Sequence, residues 1–550
     1  MPVINFSYSD LCGLVGYDVP KAVLMERLPM IGADPRCADE ATDEMSFEFF
    51  PDRPDLYSVE GVARALRAFL GREPGLRSYA VAPSDVELRV DPSVEGVRPH
   101  IWSALVEGLD VDDRLIRSMM DLQEKLHVTL GRNRRKVAIG LHDFSTVKPP
   151  FTYRAVGPHE VRFVPLQGDG EMDLAEILVA HEKGRAYSGI LEGKGAYPVI
   201  LDSVGEVLSF PPIINGVRTT VSESTRDVLV DCTGTDANAV RGAVNIVTTA
   251  LAERGGRVRS VKVVGGGGMA RAPDLAPRRI ELDASYVDRW LGTRLGPGVM
   301  AECLGRMGHG ATPAGDGVSV MVPPYRLDIL HPVDLAEDVA IGHGFERFGD
   351  RLPSRFTGGR PDAVADFCSR LRPVMMGLGY TEVTALTLSS AAEQYDALGL
   401  ERDPSAARIL NPVTEDHELL RASLLPGLIG ILRRNKHREL PQRIFETGEV
   451  VRGTKNRAML SGVSVHPKAS FTEAKSDVQS LMQAVGLRCE VAAAEHGAFI
   501  RGRCAVVMSE GNPVGTLGEV SPATLAAFGL GYPAAAFEID AEELLALRSR

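Results

Sequence analysis

The chain has 550 residues, of which 44% are hydrophobic and 24% are charged, and its formal net charge at pH 7 is −12. This length exceeds what a single hydrophobic core serves, so several domains are expected, and the composition is that of an ordinary soluble protein. The acidic balance argues against a surface that binds nucleic acid throughout, although it leaves room for local basic patches.

The cysteines and the amino terminus both indicate the cytoplasm. Seven cysteines stand at positions 12, 37, 232, 303, 368, 489 and 504 without any CxxC pair, so neither structural zinc nor a disulfide framework is expected. The first residues, MPVINFSYSDLCGL, lack the basic start and the apolar core of a signal peptide. The most apolar stretch, ASLLPGLIGIL, is shorter than the roughly 18 residues that a membrane helix needs. We therefore predict a cytoplasmic protein that does not contact a membrane.

The first domain is predicted over residues 1–85. Its end is marked by SVEGVARALRAFLGREPG, where apolar residues from Val59 to Phe69 recur at helical spacing until glycine and proline stop the pattern. The spacing predicts a helix that closes this domain.

The second domain is predicted over residues 86–270. Short β-branched runs such as KVAIGLHDF and VLVDCTGTD alternate there with helical stretches such as VDDRLIRSMMDLQEKLHVTLG, which favours a mixed α/β fold. The following GGGGMARAPDLAP lacks both the GK[ST] ending of a P-loop and the GxGxxG spacing, so we predict a linker or bend.

Two basic patches interrupt this acidic chain. GRNRRK, at 131–136, holds four cations, and LRRNKHRELPQR, at 432–443, holds five, with His437 uncounted. A solvated helix face is the common meaning of such runs, and a nucleic-acid contact is the alternative. The sequence leaves both interpretations open.

The last two domains are predicted over residues 276–350 and 358–550. In the former, the order is strand, helix (DASYVDRWLG), helix (GPGVMAECLGRMGHG), strand (GVSVMVPPYRLDI) and an acidic helix, which suggests a small winged-helix-like module. In the latter, RIFETGEVV, RCAVVMSEGNPVGTLGEV and AAAFEI are strand-like.

Four acids cluster in PPYRLDILHPVDLAEDVAI, namely Asp328, Asp334, Glu337 and Asp338. Pro332 suits the first turn of a helix, and at about 100° per residue the last three acids share one face. Carboxylates this close repel one another, and a hard divalent ion such as Mg²⁺ would remove that cost. The alternative is a solvated face whose acids are stabilised by the helix dipole.

The segment that contains these acids, PPYRLDILHPVDLAEDVAIGHGFERF, closely resembles the metal-binding segment of the β chains of phenylalanyl-tRNA synthetase in their archaeal and eukaryotic form. Other stretches resemble further parts of that class II aminoacyl-tRNA synthetase family. FFPDRPDLYSVEGVARALRAFLG is similar to its N-terminal element, GRNRRKVAIGLHDFSTVKPPFTYRAV and LDSVGEVLSFPPIINGVRTTVSESTRDVLVDCTGTD to its editing domain, and LNPVTEDHELLRASLLPGLIGILRRN to its C-terminal domain. They follow the family's order over nearly the whole chain.

The resemblance implies an α/β and α+β multidomain fold, with an N-terminal domain, a mixed α/β editing domain, a winged-helix-like domain and a C-terminal class II synthetase-like antiparallel-sheet domain. The last is expected to lack an active site, because it contains no GxGxxxR-type ATP-binding motif. Family members form a heterotetramer of two α and two β chains. In this family, ATP and phenylalanine are bound mainly by the α chain, which charges tRNA(Phe), and the β chain supports this reaction.

The resemblance also implies two sites. In the editing domain, which hydrolyses tyrosyl-tRNA(Phe) in this family, it indicates Ser209, Asp231 and Thr233 as pocket residues. Their expected neighbours are Pro211, Pro212, Asn215 and Thr235. Asp231 would hold the amino group of the substrate or accept from its hydroxyl, and Thr233 would orient water. From the residues alone, a buried strand end whose Asp and Thr cap a turn is the alternative.

For the acidic cluster, the resemblance implies Mg²⁺ held by Asp328, Asp334, Glu337 and Asp338, in a structural or interface role. No Ser-His-Asp order or Cys-His pair is evident near the editing motifs, so we expect a positioned water rather than a covalent nucleophile. Two hypotheses follow for the whole chain. One is an editing β subunit of a phenylalanine–tRNA ligase, and the other is a scaffold of the same ancestry that binds tRNA or another nucleic acid without editing.

Overall fold

The computed structural model describes residues 2–38, 42–266, 268–350, 352 and 357–549. The chain forms two compact units, Met1–Arg351 and Leu352–Arg550. None of the helices in the described residues is long and apolar enough to cross a membrane.

The first unit begins with a three-stranded sheet of order β1-β3-β2 and three helices. Their bounds are β1 Val3–Ser7, α1 Tyr8–Val15, α2 Lys21–Arg27, β2 Ala33–Ala38, β3 Glu44–Phe49 and α3 Val59–Phe69. The predicted closing helix is confirmed as α3. It begins where the Ser58 hydroxyl accepts from the backbone N–H of Gly61, and it buries Val62 and Leu66.

Two sheets and their helices make up the middle of this unit, which confirms the mixed α/β prediction. In the described chain the elements are β4 Glu87–Val90, β5 His100–Glu107, α4 Asp113–Val128, β6 Val137–Asp143, β7 Phe151–Val156, β8 Arg162–Phe163, β9 Met172–Asp173, α5 Leu174–Ala180, α6 Glu182–Tyr187, β10 Tyr197–Leu201, β11 Val207–Phe210, β12 Ile214–Asn215, β13 Val228–Gly234, α7 Ala237–Glu253, β14 Arg257–Arg259, β15 Val261–Gly265 and β16 Gly268–Ala272. One sheet has the order β14-β5-β13-β6, and the other has the order β12-β11-β10-β7-β4-β15-β16.

The glycine-rich stretch is a hairpin rather than an interdomain linker. Strands β15 and β16 pair antiparallel, with Val264 opposite Met269 and Gly265 opposite Gly268. Of the two alternatives in the sequence, the bend is therefore confirmed and the linker is wrong. Position 267, within the four glycines, lies outside the described residues.

The first basic patch is a turn and not a helix face. Arg132, Asn133 and Arg134 have φ angles of 48°, 54° and 64°, in the left-handed region that side chains rarely adopt. The side chain of Arg134 points inward, and its Nη1 donates to the carbonyl oxygen of Ile213 at 2.9 Å. The solvated-helix interpretation is wrong for Arg134, because its side chain lines a cavity and is hydrogen-bonded to the backbone there.

The last part of the first unit contains the predicted elements in the predicted order, with one further strand, Gly310–Ala314, between the second helix and the predicted second strand. Its elements are β17 Arg278–Asp283, α8 Ala284–Leu291, α9 Gly296–Arg306, β18 Gly310–Ala314, β19 Gly317–Val322 and α10 Pro332–His343. The strands form a sheet of order β17-β19-β18, and Pro332 occupies the first turn of α10 as predicted. Three apolar side chains of α10, those of Leu335, Ala336 and Val339, pack into the local core.

The second unit is built on one large sheet of order β20-β23-β24-β28-β27-β26-β25. Its described elements are α11 Ala363–Gly377, β20 Thr381–Glu382, β21 Leu388–Ser389, α12 Ala391–Gln394, β22 Leu419–Leu420, α13 Leu425–Arg434, β23 Gln442–Arg452, β24 Lys455–Val465, α14 Phe471–Ala484, β25 Glu490–Ala493, β26 Phe499–Ser509, β27 Asn512–Val520, α15 Pro522–Ala527, β28 Ala534–Asp540 and α16 Ala541–Arg548. The pairings are antiparallel except for β20 with β23. The antiparallel sheet predicted for residues 358–550 is thus present.

Candidate functional site

Strand β13 carries two of the three predicted pocket residues on one face. It lies between β5 and β6, and Asp231 is opposite Ser103 on one side and Gly140 on the other. Because strand side chains alternate, Thr233 shares the face of Asp231 and Cys232 points to the other. Cys232 is fully buried in the core, and this burial raises the pKa of its thiol well above the ordinary value. Cys232 is therefore a core residue, as the alternation predicts.

One cavity of about 410 Å³ receives all three predicted side chains, those of Ser209, Asp231 and Thr233. Pro211, Pro212 and Asn215 also line it, as predicted. Thr235 does not line this cavity and lies near the backbone of Arg135 instead. The structure thus assembles the two predicted sequence segments, which are about 20 residues apart, into one wall.

The Asp231 carboxylate belongs to a buried chain of hydrogen bonds. Its Oδ2 is 2.7 Å from Nε2 of His142, and Nδ1 of the same imidazole is 2.8 Å from the hydroxyl of Thr219. The Thr219 hydroxyl also lies 3.2 Å from the carbonyl oxygen of Gly216. A threonine hydroxyl, an imidazole and a carboxylate are therefore linked, a set that was not predicted from the sequence. The chain is formed by residues that are 77 and 89 positions apart, so sequence spacing did not reveal it.

The hydroxyl of Ser209 is available to a ligand. Ser209 is 2% exposed, and its Oγ has no hydrogen-bond partner in the described part of the chain. A buried hydroxyl without a partner costs free energy, roughly 1–3 kcal/mol, and most buried polar side-chain atoms in proteins have a partner. Since Ser209 lines the cavity, a bound polar group is the natural partner for this hydroxyl.

Thr233 is held by a buried arginine that sequence reasoning missed. Arg98 Nε donates to the Thr233 hydroxyl at 2.9 Å, and its Nη2 donates to the Thr233 carbonyl oxygen at 2.7 Å. Burial lowers the pKa of Arg98 to about 10, which still leaves it charged at neutral pH. Because the Thr233 oxygen already accepts from Arg98, its own O–H is free to donate into the cavity.

A cation and a carboxylate line the cavity beside these groups. Arg134 Nη2 lies 3.2 Å from Glu124 Oε2, and the Arg134 guanidinium stacks on the ring of Tyr187, 4.4 Å from its centroid. The hydrogen bond from His127 and the charge of Arg134 lower the pKa of Glu124 to about 2, although partial burial opposes the shift. Glu124 is thus ionised throughout the neutral range, and it pairs with a charge that belongs to the left-handed turn.

The four acids of the α10 region do not form a single cluster. Asp328 and Asp338 both bind Arg326, whose Nη2 lies 2.6 Å from Asp328 Oδ2 and 2.7 Å from Asp338 Oδ2. Asp334 Oδ2 instead accepts from the backbone N–H groups of Leu330 and His331, at 2.7 Å each. Asp338 is also buried, so the alternative of a solvated face does not hold for this acid.

The fit of these acids to a divalent ion is incomplete. Among the described residues, no group of three or more His, Cys, Asp or Glu side chains is arranged to hold a metal. Partial desolvation, together with the charges of Asp338, Asp52, Asp334 and Asp328, raises the pKa of Glu337. A hard cation would offset this excess of negative charge. The donor chemistry therefore suits Mg²⁺, but Arg326 already balances two of the four carboxylates.

Three family models match the chain in succession. They are the B3/4 domain over residues 104–258, the tRNA synthetase B5 domain over 280–345 and the phenylalanyl tRNA synthetase beta chain CLM domain over 350–541. The phenylalanine–tRNA ligase beta subunit of Methanothrix thermoacetophila is 45% identical over 541 residues, which cover 98% of this chain and 99% of that protein. The chain belongs to the family of phenylalanine–tRNA ligase β subunits.

Other members of the phenylalanine–tRNA ligase β subunit family agree. The beta subunit of Archaeoglobus fulgidus is 45% identical over 542 residues, or 98% of each chain. An N-terminal fragment of the phenylalanyl-tRNA synthetase beta-subunit from Pyrococcus horikoshii, solved by crystallography, is 38% identical with a TM-score of 0.60, and it covers 62% of this chain and 100% of the fragment. The resemblance inferred from sequence is confirmed, and the cavity at Asp231 lies inside the segment that matches the B3/4 domain.

Proposed function

We propose that the chain works with an α chain as the β subunit of a phenylalanine–tRNA ligase, and that the cavity at Asp231 hydrolyses tyrosyl-tRNA(Phe). In this proposal the partners are two α chains and a second β chain in a heterotetramer, together with tRNA(Phe). ATP and phenylalanine are bound mainly by the α chain. The similarity to phenylalanine–tRNA ligase beta subunits supports the subunit role.

The domain roles follow the same proposal. Residues 1–85 form the N-terminal domain, 86–270 the editing domain, 276–350 the winged-helix-like domain and 358–550 the inactive synthetase-like domain. The order of the three family matches supports this division.

The editing proposal rests above all on unused hydrogen-bonding capacity at the cavity wall. Ser209 Oγ has no partner, and Asp231 uses only Oδ2, on His142, in the described structure. A tyrosine hydroxyl inserted here can donate to Asp231 and accept from Ser209. Phenylalanine leaves both groups buried and unpaired, so it is strongly rejected by a site of this kind.

Water is the nucleophile in this proposal. Thr233, with its O–H free to donate, orients a water at the carbonyl carbon of the ester, and the terminal ribose hydroxyls of the tRNA assist. Thr219 is unsuited to covalent attack, because it is 1% exposed and its hydroxyl is already hydrogen-bonded to His142.

Asp231→Asn tests the editing site, because it keeps the shape of the side chain and removes its charge. We expect the complex of this chain with its α chain to hydrolyse tyrosyl-tRNA(Phe) above the uncatalysed rate. In the variant, the ratio of tyrosyl to phenylalanyl hydrolysis should fall about 10- to 100-fold, since one charge-assisted hydrogen bond is lost. Charging by the α chain should be unchanged.

Two results would contradict the editing proposal. One is an intact complex that shows no deacylation above background, which would favour the non-editing scaffold. The other is an Asp231→Asn complex with an unaltered ratio. Failure of the chain to co-purify with any α chain would remove the subunit role as well.

Magnesium belongs to the same proposal, with Asp328, Asp334, Glu337 and Asp338 as its donors and a structural or interface role. The ion would supply positive charge at the acids that raise the pKa of Glu337. Because Arg326 holds Asp328 and Asp338, it has to share or release them when the ion binds.

Metal removal tests this part. We expect about one magnesium per β chain by elemental analysis of the complex, and a lower thermal midpoint after dialysis against EDTA that Mg²⁺ restores. In Glu337→Gln, the magnesium content should fall. A complex that contains no magnesium and whose thermal midpoint is unchanged by EDTA would contradict the magnesium proposal. Arg326 would then be the counter-ion of these acids.

A further inference from the structure

We infer that His142 and Thr219 are positioning residues that hold the Asp231 carboxylate with one oxygen facing the substrate. This inference rests on the proposed function, and it adds to it the device that makes recognition of the tyrosine hydroxyl selective. It concerns residues on three separate elements, β6, the loop after β12, and β13.

The direction of the hydrogen bonds follows from the chemistry of the carboxylate. An ionised carboxylate only accepts, so Nε2 of His142 carries the hydrogen that it donates to Asp231 Oδ2 across 2.7 Å. In the neutral imidazole, Nδ1 then accepts, and the donor 2.8 Å away is the hydroxyl of Thr219. Because a hydroxyl has one hydrogen, we assign it to this shorter contact rather than to the carbonyl oxygen of Gly216 at 3.2 Å. Thr219 thereby selects the tautomer that keeps Nε2–H directed at Asp231. We assign this tautomer from the hydrogen-bond partners.

The backbone of β6 passes close to the contact between His142 and Asp231. Gly140 lies opposite Asp231 on β6, and a Cβ atom there would come 2.1 Å from Asp231 Oδ2 and 2.7 Å from His142 Nε2. The closeness of the two side chains therefore depends on a residue without a side chain. His142 is fully buried, so its imidazole is fixed by these contacts rather than by solvent.

The two oxygens of the Asp231 carboxylate therefore have different roles in the cavity. Asp231 Oδ2 is occupied by His142, while no hydrogen bond to Oδ1 is found within the described ranges, and Asp231 lines the cavity. Without Nε2–H, the carboxylate is free to turn and satisfy itself elsewhere. A turned carboxylate offers the tyrosine hydroxyl a poorer acceptor and no longer penalises phenylalanine.

A threonine outside the cavity provides a control. Thr219→Val removes one hydroxyl while keeping the shape of a 1% exposed side chain, and Thr146→Val removes a half-buried hydroxyl that donates to the carbonyl oxygen of Asp143 and does not line the cavity. The readout is the ratio of tyrosyl-tRNA(Phe) to phenylalanyl-tRNA(Phe) hydrolysis by the complex with its α chain. A general defect of folding lowers both rates together and leaves this ratio unchanged.

We expect Thr219→Val to lower the ratio about 10-fold, and Thr146→Val to leave it unchanged. His142→Leu should lower it further. His142→Gln should restore most of it, because a glutamine amide also presents a donor to Asp231 and an acceptor to Thr219. If His142→Leu does not fold, the isosteric Thr219→Val carries the test alone.

Three results separate the inference from the proposed function. A wild-type complex that does not hydrolyse tyrosyl-tRNA(Phe) overturns both. A wild-type complex that edits, with an unchanged ratio in Thr219→Val, overturns only the positioning role. Abolition of both hydrolysis rates in Thr219→Val, with charging intact, would make Thr219 the nucleophile and also overturn positioning.

Discussion

Replacing Gly140 by alanine is expected to abolish most editing while leaving charging of tRNA(Phe) by the complex intact. The new methyl group would stand 2.1 Å from Asp231 Oδ2, closer than any non-bonded contact allows, so the carboxylate and His142 have to move apart. A displacement of about 1 Å at a reacting centre costs about 100-fold in rate, and two groups are displaced here.

The backbone itself tolerates the substitution, which makes the prediction specific to the site. Gly140 lies within strand β6 and is not among the glycines with positive φ. We therefore expect a modest stability loss of about 1–3 kcal/mol from overpacking. Deacylation of tyrosyl-tRNA(Phe), charging and a denaturant midpoint, measured on one preparation, separate the two effects.

Gly189→Ala is the matched control for this substitution. Gly189 is exposed, belongs to the same unit, and no atom lies within 4 Å of the Cβ that alanine would add. It should edit as the wild type does. An active Gly140→Ala variant with normal selectivity would contradict the proposed closeness of His142 and Asp231.

The way this pocket is assembled explains what the sequence predicted and what it did not. Asp231 and Thr233 belong to a compact motif, VDCTGTD, whose alternation places them on one face and Cys232 on the other. His142 lies in the run KVAIGLHDF, where every residue of the strand is buried, and nothing local distinguishes a hydrogen-bonded histidine from a core one. Its role is defined only by partners that the sheet brings together.

Arg98 was missed for the same reason. Its hydrogen bonds reach Thr233, 135 positions away, and no charge pattern around VEGVRPHIW marks it. The left-handed turn at Arg134 was missed for a different reason. Basic residues in a row are typical of solvated faces, and the positive φ angles that turn this side chain inward are not encoded by charge.

Helix α10 shows where periodicity stops being informative. The helical period correctly gave a helix starting at Pro332. It placed Asp338 on one face with Asp334 and Glu337, but Arg326 and His309 stabilise the Asp338 carboxylate inside the core, where His309 Nε2 lies 2.6 Å from Asp338 Oδ2. Whether an acidic side chain can be buried depends on its partner, and here the partners come from other parts of the chain.

Replacing Arg326 by methionine is expected to destabilise the first unit by roughly 3–5 kcal/mol, because it leaves the buried Asp338 and the half-buried Asp328 without their cation. Arg326 is itself buried, and the charges of Asp338 and Asp328 raise its pKa well above the ordinary value against the opposing effect of burial. Methionine retains an unbranched apolar chain, so the loss measures mainly the unpaired carboxylates. The readout is the denaturant midpoint of the intact complex.

Arg279→Met is the control, because it removes a similar side chain from an exposed pair with Glu281 and should leave the midpoint unchanged. The double variant Arg326→Met with Asp338→Asn should recover part of the loss, since it removes the charge that Arg326→Met exposes. If the two single substitutions simply add, Arg326 and Asp338 are not coupled, and Asp338 would again be free to bind a divalent ion. If the double variant is more stable than the sum of the single effects predicts, the guanidinium of Arg326 is the cation that neutralises Asp338 on α10 in the described conformation.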